Sequence, residues 1–365
     1  MSASSHSGQS PIAILSITQG QGSGAESVLF ELLNGWPAAA EPLLVAAPRR
    51  AAILNCVNKP NIAWLELDAP RNTIAKNLLA VEKALGALRG CRIIHGWSSR
   101  TFEIAWWAGK RLNKPAICTL HDHPQAFFIT PQRRRIMRWA GNRLESLICV
   151  SAAVQEACIA AGYHVPMRVI HNGLTHEAER QPHTAAAGPL RLGFLGMSAP
   201  FKGFRLIESW VRQTAQQGLE WHLYGNVHES LRAEAQKLCD EYGGRVFLEG
   251  RQPPSAIYPN IDVLIHASLE FDSFPTVLLE AARAGLPVVA TDLGGSVEIV
   301  AHGQTGFLFS PDQPERGLGW IQLLAQSPEL RSSMGTAARA RFAAEFGVER
   351  MVAQYADAWQ KIGCA

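Results

Sequence analysis

From Pro11 onward the chain repeats one pattern, a short apolar run followed by a longer stretch of helical periodicity. PIAILSIT leads into a helix after Gly24, and PLLVAAP, CRIIHGW, AICTLHD and ESLICV follow, with FEIAWWAGKRL and SAAVQEACIAAG among the intervening helices. Runs that are apolar at nearly every position read as strands covered on both faces, and strands separated by helices pair in parallel because a parallel neighbour needs a crossover. The pattern breaks at HNGLTHEAERQPHTAAAGP, residues 171–189, where Pro, Gly, Ala and polar residues replace the periodic apolar ones; such a segment is a linker. It then restarts with RLGFLGM, a helix through Phe204–Gln217, LEWHLYG, a helix through Glu229–Tyr242, RVFLEG, IDVLIHAS, LPVVATD and TGFLFS.

The expected class is therefore α/β, with two Rossmann-like domains facing each other across a ligand cleft. The boundaries expected are a flexible tail at 1–10, a first domain at 11–170, the linker at 171–189, a second domain at 190–342, and a C-terminal helix at 343–365 packing back toward the first domain. The aromatics Phe342, Phe346, Tyr355 and Trp359 are spaced to pack one side of that helical tail. A length of 365 residues with 47% hydrophobic content exceeds one ordinary core and suits two.

The net charge of +3 is small for this length, which argues against a nucleic-acid partner and leaves any basic surface local. The 7 cysteines are odd in number and form no C-x-x-C pair, as expected of a reducing, cytoplasmic compartment. No apolar run is long enough to span a bilayer, and MSASSHSGQS has neither the charged nor the apolar region of a signal peptide.

The segment DSFPTVLLEAARAGLP, 272–287, follows the apolar VLIHASLEF. Asp272 or Ser273 can cap a helix whose first turn holds Pro275. The amides of Phe274, Thr276 and Val277 then face outward at the positive end of the helix dipole, where an anion such as a diphosphate is favoured. Glu280 shares the face of Thr276 one turn on, and Gly285 with Pro287 ends the helix.

In the first half, ITQGQGSGAESVLFELL places a Gly-rich turn between strand and helix. Gly20, Gly22 and Ala25 satisfy a weak dinucleotide pattern, but the end of the second strand offers Ala46, Ala47, Pro48, Arg49 and Arg50 instead of an acid, so only an NADP variant of that reading survives. TLHDHP puts His121 and Asp122 at the end of the fourth strand counted so far, the edge where α/β ligands bind. His121, Asp122 and His123 as a metal site conflict with the alternating directions of an extended chain, and no D-x-D is present, so no metal is expected. QRRRIMRWAGNR gathers Arg133, Arg134, Arg135, Arg138 and Arg143 around Ile136, Met137 and Trp139 on one helix. That composition suits a solvated face first, as most charge runs do, and otherwise a peripheral contact with an anionic membrane or a lipid-diphosphate acceptor.

Several of these segments together resemble the retaining GT-B glycosyltransferases of family 4. DSFPTVLLEAARAGLP resembles their E-x7-E segment, with Asp272 at the first acid and Glu280 at the second. TDLGGSVEIVAHGQTGFLF resembles the following glycine-rich segment through Gly294, Gly295, Glu298, Gly303 and Gly306. FLGMSAPFKGFRLI is similar to G-R-x4-K-G at Lys202 and Gly203, with Met197 in place of the arginine and Arg205 or Arg251 as nearby substitutes. Gly24, Ala25 and Glu26 match the G-G-A-E loop, with Ser23 for its first glycine, and His121–Asp122 resembles the H-D step.

The resemblance implies a nucleotide-diphosphate-sugar as co-substrate, transfer to an acceptor hydroxyl with retention, and no other cofactor. It assigns the ribose to Glu280, the sugar to Asp272, the phosphates to Lys202 and the Phe274, Thr276 and Val277 amides, and a sugar-side position to His121. It places Gly24 at the donor, and Glu26, His95 and Asn172 beside the acceptor or cleft. The acceptor implied is a glycan or lipid-linked molecule in surface polysaccharide or glycoconjugate assembly, with the enzyme in the cytoplasm or at the inner membrane surface. A nucleotide-sugar epimerase and a non-catalytic sugar-binding relative share most of these features.

Overall fold

The computed structural model describes residues 10–17, 24–48, 57–68, 73–176, 188–197, 199–214 and 217–363. The tail 1–9, Gly20, Gly22, Ser23, Arg49 and Arg50 lie outside the described residues, as does most of the expected linker. The chain divides into two compact units, one running to Thr175 and resuming at Val348, the other spanning His176–Gly347.

The first unit carries β1 (Ile12–Leu15), β2 (Leu43–Ala47), β3 (Ile62–Glu66), β4 (Ile93–Gly96), β5 (Ala116–Leu120), β6 (Ser146–Cys149) and β7 (Met167–Val169). They form one sheet in the order β3-β2-β1-β4-β5-β6-β7, with every pairing parallel. The order reverses between β1 and β4, the switch point at which doubly wound sheets open a crevice beyond their strand ends. Two edge strands with partly exposed side chains, β3 and β7, are absent from the sequence reading: β7 is three residues long with Arg168 at its centre and so has no apolar run to read, whereas β3 does hold one, Ile62–Leu65, which the reading did not include. His121 accordingly follows the fifth strand of the chain and not the fourth.

The second unit carries β8 (Leu190–Phe194), β9 (Leu219–Tyr224), β10 (Val246–Gly250), β11 (Val263–His266), β12 (Val288–Thr291) and β13 (Gly306–Phe309), ordered β10-β9-β8-β11-β12-β13 and all parallel. All six correspond to apolar runs in the sequence. Leu192, Phe194, Trp221 and Leu223 pack with Phe204, Ile207 and Trp210 of the helix Phe204–Thr214 to form its core.

The helical tail does not pack as one face. It is two helices, Pro328–Glu345 and Val348–Gly363, and its aromatics separate between them. Phe342 and Phe346 are buried in the second unit, Phe346 against Phe274. Tyr355 and Trp359 lie in the core of the first unit with Val28, Leu32 and Trp36. The first residues of the expected linker belong instead to that unit, since Thr175 bonds Glu31, the Gly173 amide meets the Met351 sulfur at 3.2 Å, and the Val348 amide donates to Leu174. No helix of the described residues is long and apolar enough to cross a membrane.

His95 corrects the sequence reading, which placed it beside the cleft. It is fully buried on β4, where Nε2 meets the Thr119 hydroxyl at 2.8 Å and Nδ1 accepts from Trp359 Nε1 at 3.0 Å. Thr119 in turn meets the Tyr355 hydroxyl at 3.2 Å. Both ring nitrogens are used inside the core, pinning the last helix to the sheet.

Burial pushes the His95 pKa down to about 3, and neighbouring His121 adds to the effect. The unfolded chain, with an ordinary histidine near 6.5, therefore binds the proton first as pH falls, so stability is intact above that value and declines below it. The share belonging to His95 is about 2 kcal/mol between pH 7 and 5. We expect His95→Gln to be less stable at pH 7 yet to lose about that much less on acidification, as read by denaturant titrations at the two pH values. Equal acid sensitivity of the two proteins would contradict the buried neutral imidazole.

Candidate functional site

In the second unit three loops meet at Asp272. The first follows β8 and ends in the short turn Pro200–Lys202, from which Lys202 Nζ reaches Asp272 Oδ2 at 2.6 Å. The second leaves β11 at His266, whose Nε2 lies 3.6 Å from the same oxygen. The third follows β12, where the Gly295 amide donates to the Asp272 carbonyl at 2.8 Å.

Glycine makes this convergence possible. Gly203 has φ 92° and its missing Cβ would stand 2.0 Å from the Ala267 carbonyl oxygen, while the Leu269 amide ties the same loop to Phe201. Gly294 has φ 57° and a Cβ there would stand 2.1 Å from the Asp272 carbonyl oxygen. Any side chain at either place would force the backbones apart.

Burial by itself would raise the Asp272 pKa. The charge of Lys202, that of His266 once acid protonates it, and the hydrogen bond from Lys202 outweigh it and hold the carboxyl below its usual value. His266 is itself pushed down to about 4, with burial the largest cause, so it is neutral at physiological pH.

Asp272 and Ser273 do not cap the following helix, which corrects the sequence reading. The helix is Thr276–Ala284, Pro275 occupies the cap position without a side-chain bond, and the Asp272 carboxylate turns to Lys202. The Thr276 and Val277 amides occupy the first two helical positions, which have no intrahelical acceptor. Phe274 is buried against Phe346. Glu280 is partly exposed and accepts from the Tyr258 hydroxyl at 2.6 Å, and the same hydroxyl lies 3.3 Å from the Val277 carbonyl. Gly285 ends the helix with φ 71°.

Met197 is fully buried in the apolar cluster with Phe194 and Phe204. Neither proposed substitute cation joins Lys202. Arg205 pairs with Glu234 at 3.1 Å, and Arg251 is exposed.

In the first unit the loops after β1, β4 and β5 hold the remaining residues. Trp97 Nε1 donates to the Ala25 carbonyl at 2.8 Å, fixing the start of the helix Gly24–Gly35, on whose first turn Glu26 is buried. The Trp97 ring lies 5.0 Å from that of His121. Both His121 ring nitrogens are shielded from solvent and meet no hydrogen-bond partner among the described residues, and burial pushes the pKa to about 3. A neutral imidazole with both nitrogens unused is poised for a polar ligand group.

Asp122 accepts from the Ser99 hydroxyl at 3.0 Å, and His123 Nδ1 accepts from the Gln125 amide, so the three adjacent side chains turn to different neighbours. Asn172 is buried at the end of the first unit. Arg133 corrects another expectation. Its guanidinium faces inward to Glu103 at 2.6 Å and the Ser99 carbonyl at 2.7 Å, away from any surface contact.

Sequence reasoning missed His266, Tyr258, Trp97 and Ser99 as site residues. A signal existed for His266 and Trp97, since both stand at the carboxyl end of an apolar run. None existed for Tyr258 or Ser99, whose roles depend on folding.

Two parallel, doubly wound units with their polar groups gathered at strand ends define the GT-B architecture. Two family models match consecutive parts of the chain, Glycosyltransferase Family 4 over residues 22–178 and Glycosyl transferases group 1 over residues 175–341. The chain belongs to glycosyltransferase family 4. It is 33% identical over 111 residues to N-acetyl-alpha-D-glucosaminyl L-malate synthase of Bacillus anthracis, covering 30% of this chain and 29% of that one. It is 25% identical over 252 residues to the sulfoquinovosyl transferase SQD2 of Arabidopsis thaliana, covering 63% and 49%. The matches thus span less than two thirds of those relatives. Anabaena Alr3699/HepE, solved in complex with UDP and glucose, has the same fold, with a TM-score of 0.83 at 21% identity, covering 97% of this chain and 100% of that one.

Because Lys202 opposes burial at Asp272, Lys202→Met is expected to raise the carboxyl pKa above its ordinary value. A depressed Asp pKa contributes stability above the unfolded pKa and loses it as pH falls through the folded one. The variant should lack that contribution at neutral pH. Carbon-13 titration of the Asp272 carboxyl measures this directly, and an unchanged titration would contradict the pairing.

Proposed function

We propose that the chain transfers a sugar from a nucleotide-diphosphate-sugar to an acceptor hydroxyl with retention at the anomeric carbon. The observation that carries this reading is the 2.6 Å Lys202–Asp272 pair beside the open start of the helix Thr276–Ala284. A lysine and two free helix amides suit a diphosphate, and an ionised acid oriented by that lysine suits a sugar hydroxyl. Glu280, oriented by Tyr258, is assigned the ribose. The relatives' names, a glucosaminyl transfer and a sulfoquinovosyl transfer, and the UDP complexes of Alr3699/HepE support a nucleotide-sugar donor.

In this reading the leaving phosphate gains charge as the glycosidic bond breaks, and Lys202 with the Thr276 and Val277 amides stabilises it. The departing phosphate oxygen takes the proton of the incoming hydroxyl. Neutral His121 donates or accepts one hydrogen bond at the sugar and carries no charge. Neither a covalent nucleophile nor a metal is needed, and the acceptor is a glycan or lipid-linked molecule of surface polysaccharide or glycoconjugate assembly, met in the cytoplasm or at the inner membrane face. Gly24 and Glu26 are assigned to the donor and acceptor sides of the first unit's loop, with Asn172 near its end.

A panel of UDP-, GDP- and ADP-sugars should contain one that stabilises the protein, by about 2.7 kcal/mol at 100 times its dissociation constant. Glu280→Ala is expected to abolish that shift. Absence of any shift would sink the donor assignment. With a matched acceptor, His121→Ala should lower kcat by about 100-fold while leaving the donor shift intact. Full turnover would remove His121 from the reaction, and a changed free sugar formed without acceptor would indicate epimerisation instead.

A further inference from the structure

Four arginines on the helix Pro131–Gly141 read alike in the sequence, but the fold sorts them. Arg133 is neutralised by Glu103. Arg134, Arg135 and Arg138 instead line a hollow of about 200 Å³ on the first unit, with Pro124, Gln125, Pro131, Ala161 and Tyr163 as the remaining lining residues. None of the three guanidinium groups meets a carboxylate among the described residues. Among the described residues, Arg134 bonds only the Ala126 carbonyl at 3.0 Å, Arg138 reaches the Ala161 carbonyl at 3.4 Å, and Arg134 Nε is buried without a partner. Other arginines of the chain do have a carboxylate partner, as at Arg92–Glu41, Arg191–Asp262 and Arg212–Glu241.

Three cations around a concavity without an acid repel one another, and a buried unpartnered Nε adds a desolvation cost. An anion with several acceptor oxygens relieves both, and planar guanidinium groups match phosphate oxygens in pairs. We propose that this hollow is a binding site for a phosphate or diphosphate group, separate from the phosphate grip of the second unit. Its wall at Pro124–Gln125 belongs to the loop that begins at His121, so a phosphate bound there anchors its carrier on the segment that presents the imidazole. The same loop exposes Phe127 and Phe128, 61% and 59% accessible and edge to face at 5.4 Å, which suits a carrier with an apolar portion. Binding of the anion stands on the hollow alone; its assignment to an acceptor rests on the glycosyl-transfer reading.

The test uses inorganic pyrophosphate titrated calorimetrically onto the full chain carrying Lys202→Ala, which removes the ammonium of the other phosphate grip. We expect saturable, salt-sensitive binding that Arg135→Ala with Arg138→Ala weakens at least about tenfold. Arg143→Ala, which alters an arginine stacked on Trp139 at 4.4 Å on the same helix end, should leave it unchanged. Arg135 and Arg138 are exposed, so circular dichroism and melting of the double variant should match the parent. A second arm measures sedimentation with anionic phospholipid vesicles, where displacement by pyrophosphate would place a lipid head group in the same hollow, and pyrophosphate binding without vesicle binding would identify a soluble phosphate carrier. No saturable pyrophosphate binding, or binding indifferent to the double variant, would overturn the site. Vesicle binding lost in the double variant but not displaced by pyrophosphate would also overturn it, leaving only diffuse surface charge.

Discussion

The second unit depends on keeping one carboxylate ionised at a place that burial disfavours. Asp272 sits where three loops converge, and burial is the largest influence on its titration, yet the nearby ammonium of Lys202 reverses the outcome. An ion pair taken out of water has to recover its desolvation through close geometry and further hydrogen bonds, and the backbone supplies part of that through the Gly295 amide on the Asp272 carbonyl. The pair holds the two loops that carry it in register with each other. The glycines at 203 and 294 are the other half of the same constraint, since the loops can close only where a Cβ is missing.

The first unit solves the opposite problem, keeping imidazoles neutral. His95 spends both nitrogens on Thr119 and Trp359, and His121, one aromatic layer away past Trp97, spends neither on any of the described residues. Both are held far below an ordinary histidine by burial. The difference in bonding separates their roles. A satisfied histidine ties the returning helix to the sheet, and the unsatisfied one at a strand end is the group on which the proposed sugar contact rests. Type and burial do not distinguish them; the accounting of partners does.

The architecture was legible because doubly wound sheets write their central strands as continuous apolar runs. All six strands of the second unit and the five central ones of the first could be read that way. Met167–Val169 could not, because three residues centred on Arg168 make no apolar run; Ile62–Glu66 was absent from the reading although Ile62–Leu65 is apolar throughout, and an edge position alone hides nothing, since Val246–Gly250 is also an edge strand and was legible. The positions of Lys202, Asp272, His121 and Glu280 at strand ends and on one helix face were legible for the same reason. Partner choice was not. Nothing local says that Asp272 prefers Lys202 to capping a helix, that Arg133 turns inward to Glu103, or that His95 belongs to the core, because each outcome is decided by residues between 24 and 264 positions away.

Met197 gives the charge balance of the proposed phosphate grip its particular form. With that side chain buried among Phe194 and Phe204, and Arg205 engaged by Glu234, Lys202 is the cation placed against Asp272, and His266 is neutral. The pair alone sums to no net charge. Attraction for a diphosphate then has to come from the helix start at Thr276 and Val277 and from the two ammonium protons that Lys202 does not give to Asp272. Such a site holds its anion by oriented dipoles more than by excess charge. Dipoles act over a shorter range than a net charge, so this grip favours a phosphate already seated at the helix start over one merely nearby.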